Sequence, residues 1–174
     1  MPTFARPAAG EHSPYFGRYV EQVPDGDLLA LLASQVGETA SLLRSLPEER
    51  GLHRYGEGKW SINDVVQHVS DAERVFSYRA LRFARGDTTP LASFEQDGWV
   101  PVANANGRKL PDLVSELEQV RGATLALLRS LDDAAIGRRG TASGFEVSVR
   151  ALAWIIAGHE RHHLTILRER YLTG

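Results

Sequence analysis

Apolar residues recur at helical spacing in four separate stretches of this chain, each bounded by residues that start or stop helices. From Asp27 to about Leu46, the positions Leu28, Leu29, Leu32, Val36, Ala40, Leu43 and Leu46 keep one face apolar. Pro24-Asp25-Gly26 turns the chain ahead of them, and Pro47 ends the pattern. The second stretch opens on Ser61-Ile62-Asn63-Asp64, a serine cap with an acid three residues on. It runs through Val65, Val69, Ala72, Phe76, Ala80 and Phe83 to a stop at Gly86. Pro111 opens a third helix with Leu113, Leu117, Val120, Thr124, Leu127 and Leu131 as its stripe, and a fourth is predicted from about Val147 to Leu172. No alternating strand pattern appears between them. The expected fold is therefore all-α, a four-helix bundle with a long loop, Asp87 to Arg108, between helices two and three. Residues 132 to 146 read as a Gly-rich connection. Residues 1 to 14, rich in Pro, Ala and Gly, read as a loose N-terminal arm in which His12 meets solvent, and residues 15 to 174 as one domain. Tyr15, Phe16, Tyr19 and Val20 form an apolar cluster that should pack on that domain.

The fourth stripe is interrupted by histidine. At roughly 100° per residue, Leu152, Ile156, His159, His163 and Leu167 share one narrow face, with Val149 and Leu164 beside it. His159 and His163 are thus one turn apart and inward-facing, which lets two imidazoles share one metal ion. His162 is rotated towards the rim, although His159 with His162 is a second possible pair. His68 lies at the edge of the stripe of helix two. His68, His159 and His163 together make three imidazole donors from two helices, and three protein ligands with an open position is the pattern of catalytic zinc. The competing reading is that these histidines are core polar groups satisfied by hydrogen bonds.

An acid to assist them is less easily named. Glu160 follows His159, so the letters from His159 to His163 spell H-E-x-x-H, and Glu73 holds a similar border position on helix two. Either is a candidate for acid–base work or for holding a ligand imidazole; the alternative is salt-bridging to arginines such as Arg74 or Arg161. A zincin-like reading with Glu160 as base lacks a third ligand downstream and a substrate-binding strand. Asp97 and Asn104 are the polar groups of the long loop that would reach a pocket if the loop folds over one; otherwise they are ordinary loop polarity.

Composition removes several classes of function. The chain has 174 residues, 43% of them hydrophobic and 24% charged, enough for one domain with its own core. A net charge of -2 offers no footprint for nucleic acid. The longest apolar run, Ala151 to Ala157, is too short to span a membrane, and Met1 to Gly10 lacks the core of a signal peptide, so a cytoplasmic location is expected. There is no cysteine, so any metal must be held by His, Asp or Glu, and any thiol chemistry must use a thiol brought by the substrate.

The run Lys59-Trp60-Ser61-Ile62 followed by His68, then Asp71-Ala72-Glu73-Arg74, Arg85-Gly86-Asp87 and finally Gly158-His159 through His163, resembles the DinB-like four-helix bundle superfamily, which includes the YfiT-type metal-dependent hydrolases. The resemblance covers the chain from about Tyr15 to its end. It implies a bundle, commonly a homodimer, that holds one divalent metal on His68, His159 and His163, in a superfamily whose members include thiol-dependent transferases and isomerases. The function expected is a metal-dependent enzyme on a small molecule, activating water as a hydrolase or a low-molecular-weight thiol as an S-transferase. A non-catalytic, metal-stabilised bundle serving as a dimeric binding module is the alternative. Zinc or nickel is the expected ion, with iron or manganese as further candidates for a site of imidazoles.

Overall fold

All four predicted stripes form helices, and their ends follow the capping chemistry. In a computed structural model, which describes residues 2–173, the α-helices are α1 (Pro14–Val20), α2 (Leu28–Arg44), α3 (Ile62–Ala84), α4 (Gln96–Trp99), α5 (Leu110–Arg129), α6 (Asp133–Gly137) and α7 (Val149–Ile166), the last extended by a π-turn at Leu167–Tyr171. Asp27 caps α2 by accepting from the N–H groups of Leu29 and Ala30. Ser61 and Asp64 close the expected capping box on α3, with Ser61 N donating to Asp64 Oδ2 at 2.9 Å and Asp64 N donating to Ser61 Oγ at 3.0 Å.

The long helices α2, α3, α5 and α7 make the bundle in an order that differs from their order along the chain. α3 packs on α5 and α7, and α2 packs on the same two helices, so α2 faces α3 across one diagonal and α5 faces α7 across the other. Consecutive helices α2 and α3 are thus joined over the end of the bundle by residues 45–61. The apolar core falls into two parts: one around Leu32, Phe76, Leu128 and Trp154, the other around Leu43, Ile62, Val65, Leu113 and Tyr171. A layer of buried polar side chains lies between them. No helix among the described residues is long and apolar enough to cross a membrane.

Two connections differ from expectation. The stretch read as a plain Gly-rich link holds α6 and a β-hairpin, β1 (Arg139–Ala142) paired antiparallel with β2 (Phe145–Ser148) in a register that sets Arg139 opposite Ser148. Its two-residue turn, Ser143-Gly144, has φ of 55° and 79°, the left-handed pair that matches strand twist in tight hairpins. Strands of four residues are too short to show a period of two, which is why the pattern hid them. The long loop is stitched to this hairpin: Leu91 N donates to Thr141 O at 2.9 Å and Ser143 N donates to Leu91 O at 3.0 Å.

The N-terminal stretch is not loose over its described residues; Met1 lies outside them. Phe4 is buried and its carbonyl accepts from Trp154 Nε1 at 3.0 Å. Arg6 covers the Trp154 ring at 4.5 Å and donates to the carbonyls of Val20 and Val23. Glu11, also buried, accepts from Ser148 Oγ at 2.7 Å and from Arg150 Nε at 3.1 Å, which ties the segment to the start of α7. Sequence periodicity is blind to such contacts because a single Phe, a single Arg and a single Glu make them.

Burial raises the pKa of Glu11, but hydrogen bonds from Arg150, Ala8 N–H and Ser148 outweigh it and hold the carboxyl at about 2, against an ordinary 4.5. A depressed carboxyl stabilises the fold above its unfolded pKa and ceases to do so as pH falls through the folded one. Glu11→Gln is therefore expected to lower the free energy of unfolding by about 1–3 kcal/mol at pH 7. In urea titrations its deficit against the parent should shrink between pH 4.5 and pH 2; a deficit independent of pH would mean that packing, rather than the charge, anchors the segment.

Candidate metal centre

The histidines of α3 and α7 meet in the polar layer. Nε2 of His159 lies 3.1 Å from Nε2 of His68 and 3.2 Å from Nε2 of His163. Adjacent long helices place them so: His68 stands two turns into α3, against the third and fourth turns of α7. His68 and His159 are buried, and His163 is partly so. His162 stays apart at the rim, half-buried, its ring 5.3 Å from that of Tyr19, as its angular position implied.

Burial also fixes the protonation state. It pulls the His68 imidazole down to about 4, an effect that the Asp97 carboxylate only partly opposes. His159 and His163 are held well below the usual histidine range, first by burial and then by the neighbouring imidazoles. At neutral pH all three rings are uncharged. A neutral imidazole nitrogen either donates one hydrogen or accepts on one lone pair, so Nε2 of His159 can satisfy one of its two close contacts by a hydrogen bond and not both.

A shared cation satisfies all three. Imidazole nitrogens about 2.0–2.1 Å from a tetrahedral ion stand roughly 3.3–3.4 Å from each other, close to the 3.1 and 3.2 Å separations here. A set of three nitrogens suits zinc, nickel, copper or iron better than calcium or magnesium. His68, His159 and His163 therefore fit a divalent metal in number and donor type, with His159 at such a spacing from each of the other two and all three nitrogens within 4.8 Å of one another.

Aromatic rings hold the imidazoles in place. Trp60 lies 5.0 Å from the His68 ring, and Tyr19 and Phe76 meet His159 edge-on at 5.3 and 5.8 Å. Tyr19 arrives on α1, which lies on α7 so closely that a Cβ at Gly158 would stand 2.0 Å from the Tyr19 carbonyl oxygen. Only glycine fits there. His159 in turn borders a cavity of about 290 Å³, walled by Phe16, Tyr19, Phe76 and Phe94, with Arg79 in its lining. That volume is at the lower end of small-molecule sites.

The two acids pair with an arginine, as the salt-bridge reading expected, but with Arg121 and in the interior of the bundle. Both are buried, and all four of their oxygens are engaged. Arg121 of α5 donates through Nε and Nη2 to Glu73 at 2.9 and 2.8 Å, and through Nη2 to Glu160 Oε2 at 2.8 Å. Glu160 further accepts from Gln35 Nε2 and Thr39 Oγ1, each at 2.6 Å, and Arg121 Nη1 donates to the Leu32 carbonyl at 2.8 Å. Burial would lower the Arg121 pKa, but the two carboxylates raise it above its ordinary value. The arginine partner is thus Arg121. Arg74 pairs with Asp71 and Glu116, and Arg161 donates to the Gln22 carbonyl. Glu160 points into this network, which removes the observation that a base role in H-E-x-x-H would need.

Of the loop residues, Asp97 is exposed and bears on the site through its charge at His68, while Asn104, in an exposed turn with φ of 54°, lines a separate pocket beside Trp60 and Asp64. The loop does reach the cavity, through Phe94. Arg79 and Arg121 are the residues that the pattern concealed. Each carried a signal: Arg79 lies between Phe76 and Phe83, and Arg121 one turn after Leu117, so both are cations on an apolar stripe.

The fold and sequence have relatives. YfiT of Bacillus subtilis, a proposed metal-dependent hydrolase with an unusual four-helix bundle topology, superposes with a TM-score of 0.70 at 16% identity, over 94% of this chain and 89% of its own. The mycothiol-dependent maleylpyruvate isomerase superposes with a TM-score of 0.67 at 18% identity, over 83% of this chain but 61% of its own, and the likeness is one of fold. In sequence, a proposed metal-dependent hydrolase of Oceanobacillus iheyensis is 26% identical over 137 residues, 78% of this chain and 76% of that protein. One from Bacillus mycoides is 27% identical over 164 residues, 90% and 91% of the two chains. Residues 31–167, which hold all four long helices but for the first turn of α2 and include the three histidines, match the family model of the DinB superfamily; this chain belongs to that superfamily.

Proposed function

We propose that this protein is a divalent-metal-dependent enzyme acting on a small molecule, with His68, His159 and His163 as the ligands of one ion. The observation that supports it is the meeting of three imidazole nitrogens, one from each uncharged ring, within 4.8 Å of one another beside a cavity. A divalent ion held there supplies a Lewis acid that acidifies water or a thiol, giving a nucleophile near pH 7 in a chain with no cysteine of its own. The residues of the chain prepare the place. Burial keeps the imidazoles uncharged, and Trp60, Tyr19 and Phe76 pack against the His68 and His159 rings. Hydrolysis is the reading favoured by the sequence relatives, and transfer or isomerisation with a low-molecular-weight thiol by one structural neighbour. Zinc and nickel are the proposed ions.

Elemental analysis of tag-free protein tests the ligand set. About one zinc or nickel ion per chain is expected, lost in both His68→Ala and His159→Ala, since removing one of three ligands leaves too few to hold the metal. A His159→Ala protein that keeps a full equivalent of metal would remove the triad from consideration. Small thiols and hydrolysable esters or amides, offered to the loaded protein, then separate the two chemistries: thiol consumption with an electrophile indicates transfer, and product release without thiol indicates hydrolysis.

A further inference from the structure

One buried cation in the bundle has no acid to answer it. Arg79 of α3 is 3% exposed, and burial lowers its pKa with no neighbouring charge to oppose the effect. Its Nη2 donates to the Ala92 carbonyl at 2.7 Å and to Ser143 Oγ at 3.0 Å. Nε and Nη1 have no hydrogen-bond partner among the described residues, and neither atom is sealed inside protein. A guanidinium largely withdrawn from water without a counter-charge is held at a cost, and an anion that enters beside its two unpaired nitrogens reduces that cost.

The surroundings say which anion. Arg79 and His159 line the same cavity, and Arg79 is the only cation among the described residues that line it. Glu95 also lines the cavity, so a dianion such as a phosphate ester would meet one positive and one negative side chain. Phe94 lies 5.8 Å from the guanidinium carbon, and Phe16, Phe76 and Phe145 supply further flat apolar surface. The two acceptors that orient Arg79 come from the loop and the hairpin turn, the two segments bonded to each other through Leu91.

We infer that the cavity takes a small molecule with a flat apolar body and a single carboxylate, the carboxylate held by Arg79 and the body lying among the aromatic rings towards His159. That such a molecule is a substrate rests on the proposed metal-dependent activity; that it binds rests on Arg79 alone. A carboxylate beside a buried guanidinium forms charge-assisted hydrogen bonds, which its neutral amide cannot match.

Calorimetry with 3-phenylpropionate and 3-phenylpropionamide, on metal-free and zinc-loaded protein, tests the inference. The acid is expected to bind both forms roughly 10–100-fold more tightly than the amide. Arg79→Met should abolish that preference and Arg79→Lys retain part of it, with zinc content unchanged in each. Equal affinity for acid and amide in the unmodified protein would overturn the inference, and this comparison needs no variant to fold. So would a preference that survives in Arg79→Met. A preference present only with zinc, and absent in His68→Ala, would assign the carboxylate to the ion; it would overturn the role of Arg79 while leaving the metal centre intact. If the unmodified protein takes up no zinc and still shows the preference, this inference stands and the proposed function is overturned instead.

Discussion

Arg121→Met is expected to lower the free energy of unfolding by about 3–5 kcal/mol, because it leaves two buried carboxyl groups facing each other without the cation between them. For a domain of this length that corresponds to a fall of roughly 6–20 °C in melting temperature. The size of the effect follows from burial. Arg121 is 0% exposed, and Glu73 and Glu160 are each 2% exposed, so water cannot solvate whichever partner is left. The four long helices all contribute: Leu32, Gln35 and Thr39 from α2, Glu73 from α3, Arg121 from α5, Glu160 from α7. Removing the charges together should cost much less. The triple variant Glu73→Gln, Arg121→Met, Glu160→Gln is expected to recover at least half of the loss in a denaturant titration, since no ion then remains to be desolvated. A single Arg121→Met variant within about 1 kcal/mol of the parent would mean that the carboxyl groups are relieved in another way, by taking up protons or by admitting water.

Gly158→Ala should be the most damaging single methyl group in the chain. The added carbon would lie 2.0 Å from the Tyr19 carbonyl oxygen and 2.4 Å from its carbonyl carbon, and these belong to backbone rather than to the movable end of a side chain. Either α1 lifts from α7 or α7 shifts against α3. Overpacking of this kind costs about 1–3 kcal/mol, and a backbone contact belongs at the upper end. Its signature is positional. If α1 lifts, Tyr19 leaves the His159 ring, so the amides of α1 that follow Pro14 should lose hydrogen-exchange protection and zinc affinity should fall even though all three histidines remain. Unchanged protection in α1 would show that the helices tolerate the contact by another route.

What could be read from the sequence depended on how many residues carried the signal. The long helices were each marked by five or more apolar positions and by caps such as Asp27 and the Ser61–Asp64 box, and their ends fall within a few residues of the pattern. The histidines were legible because His159 and His163 replace apolar residues on a stripe that otherwise has none but apolar ones. Arg121 and Arg79 interrupt stripes in the same way, yet a long cation on a stripe reads as one that reaches for the rim, and only the third dimension shows the acids around Arg121 and their absence around Arg79. Glu73 and Glu160, assigned to the border of their stripes by angle, are central because α5 brings an arginine between them. The hairpin rested on Ser143-Gly144 alone, and the packed N-terminus on Phe4, Arg6 and Glu11 acting singly at partners far along the chain, for which no periodicity exists.

The diagonal placement of consecutive helices has a consequence for how the chain assembles. α2 and α3 cannot close as a hairpin, and neither can α5 and α7, so of the three steps along the chain only α3 to α5 joins neighbours. His68 and His159 are 91 residues apart, and the ring of donors is incomplete until the last helix has docked. During synthesis the ribosome releases His68 long before its partners exist. Burial of apolar surface has to bring the helices together first, at the slower pace that distant contacts impose, and the three imidazoles meet only in a domain that has already folded.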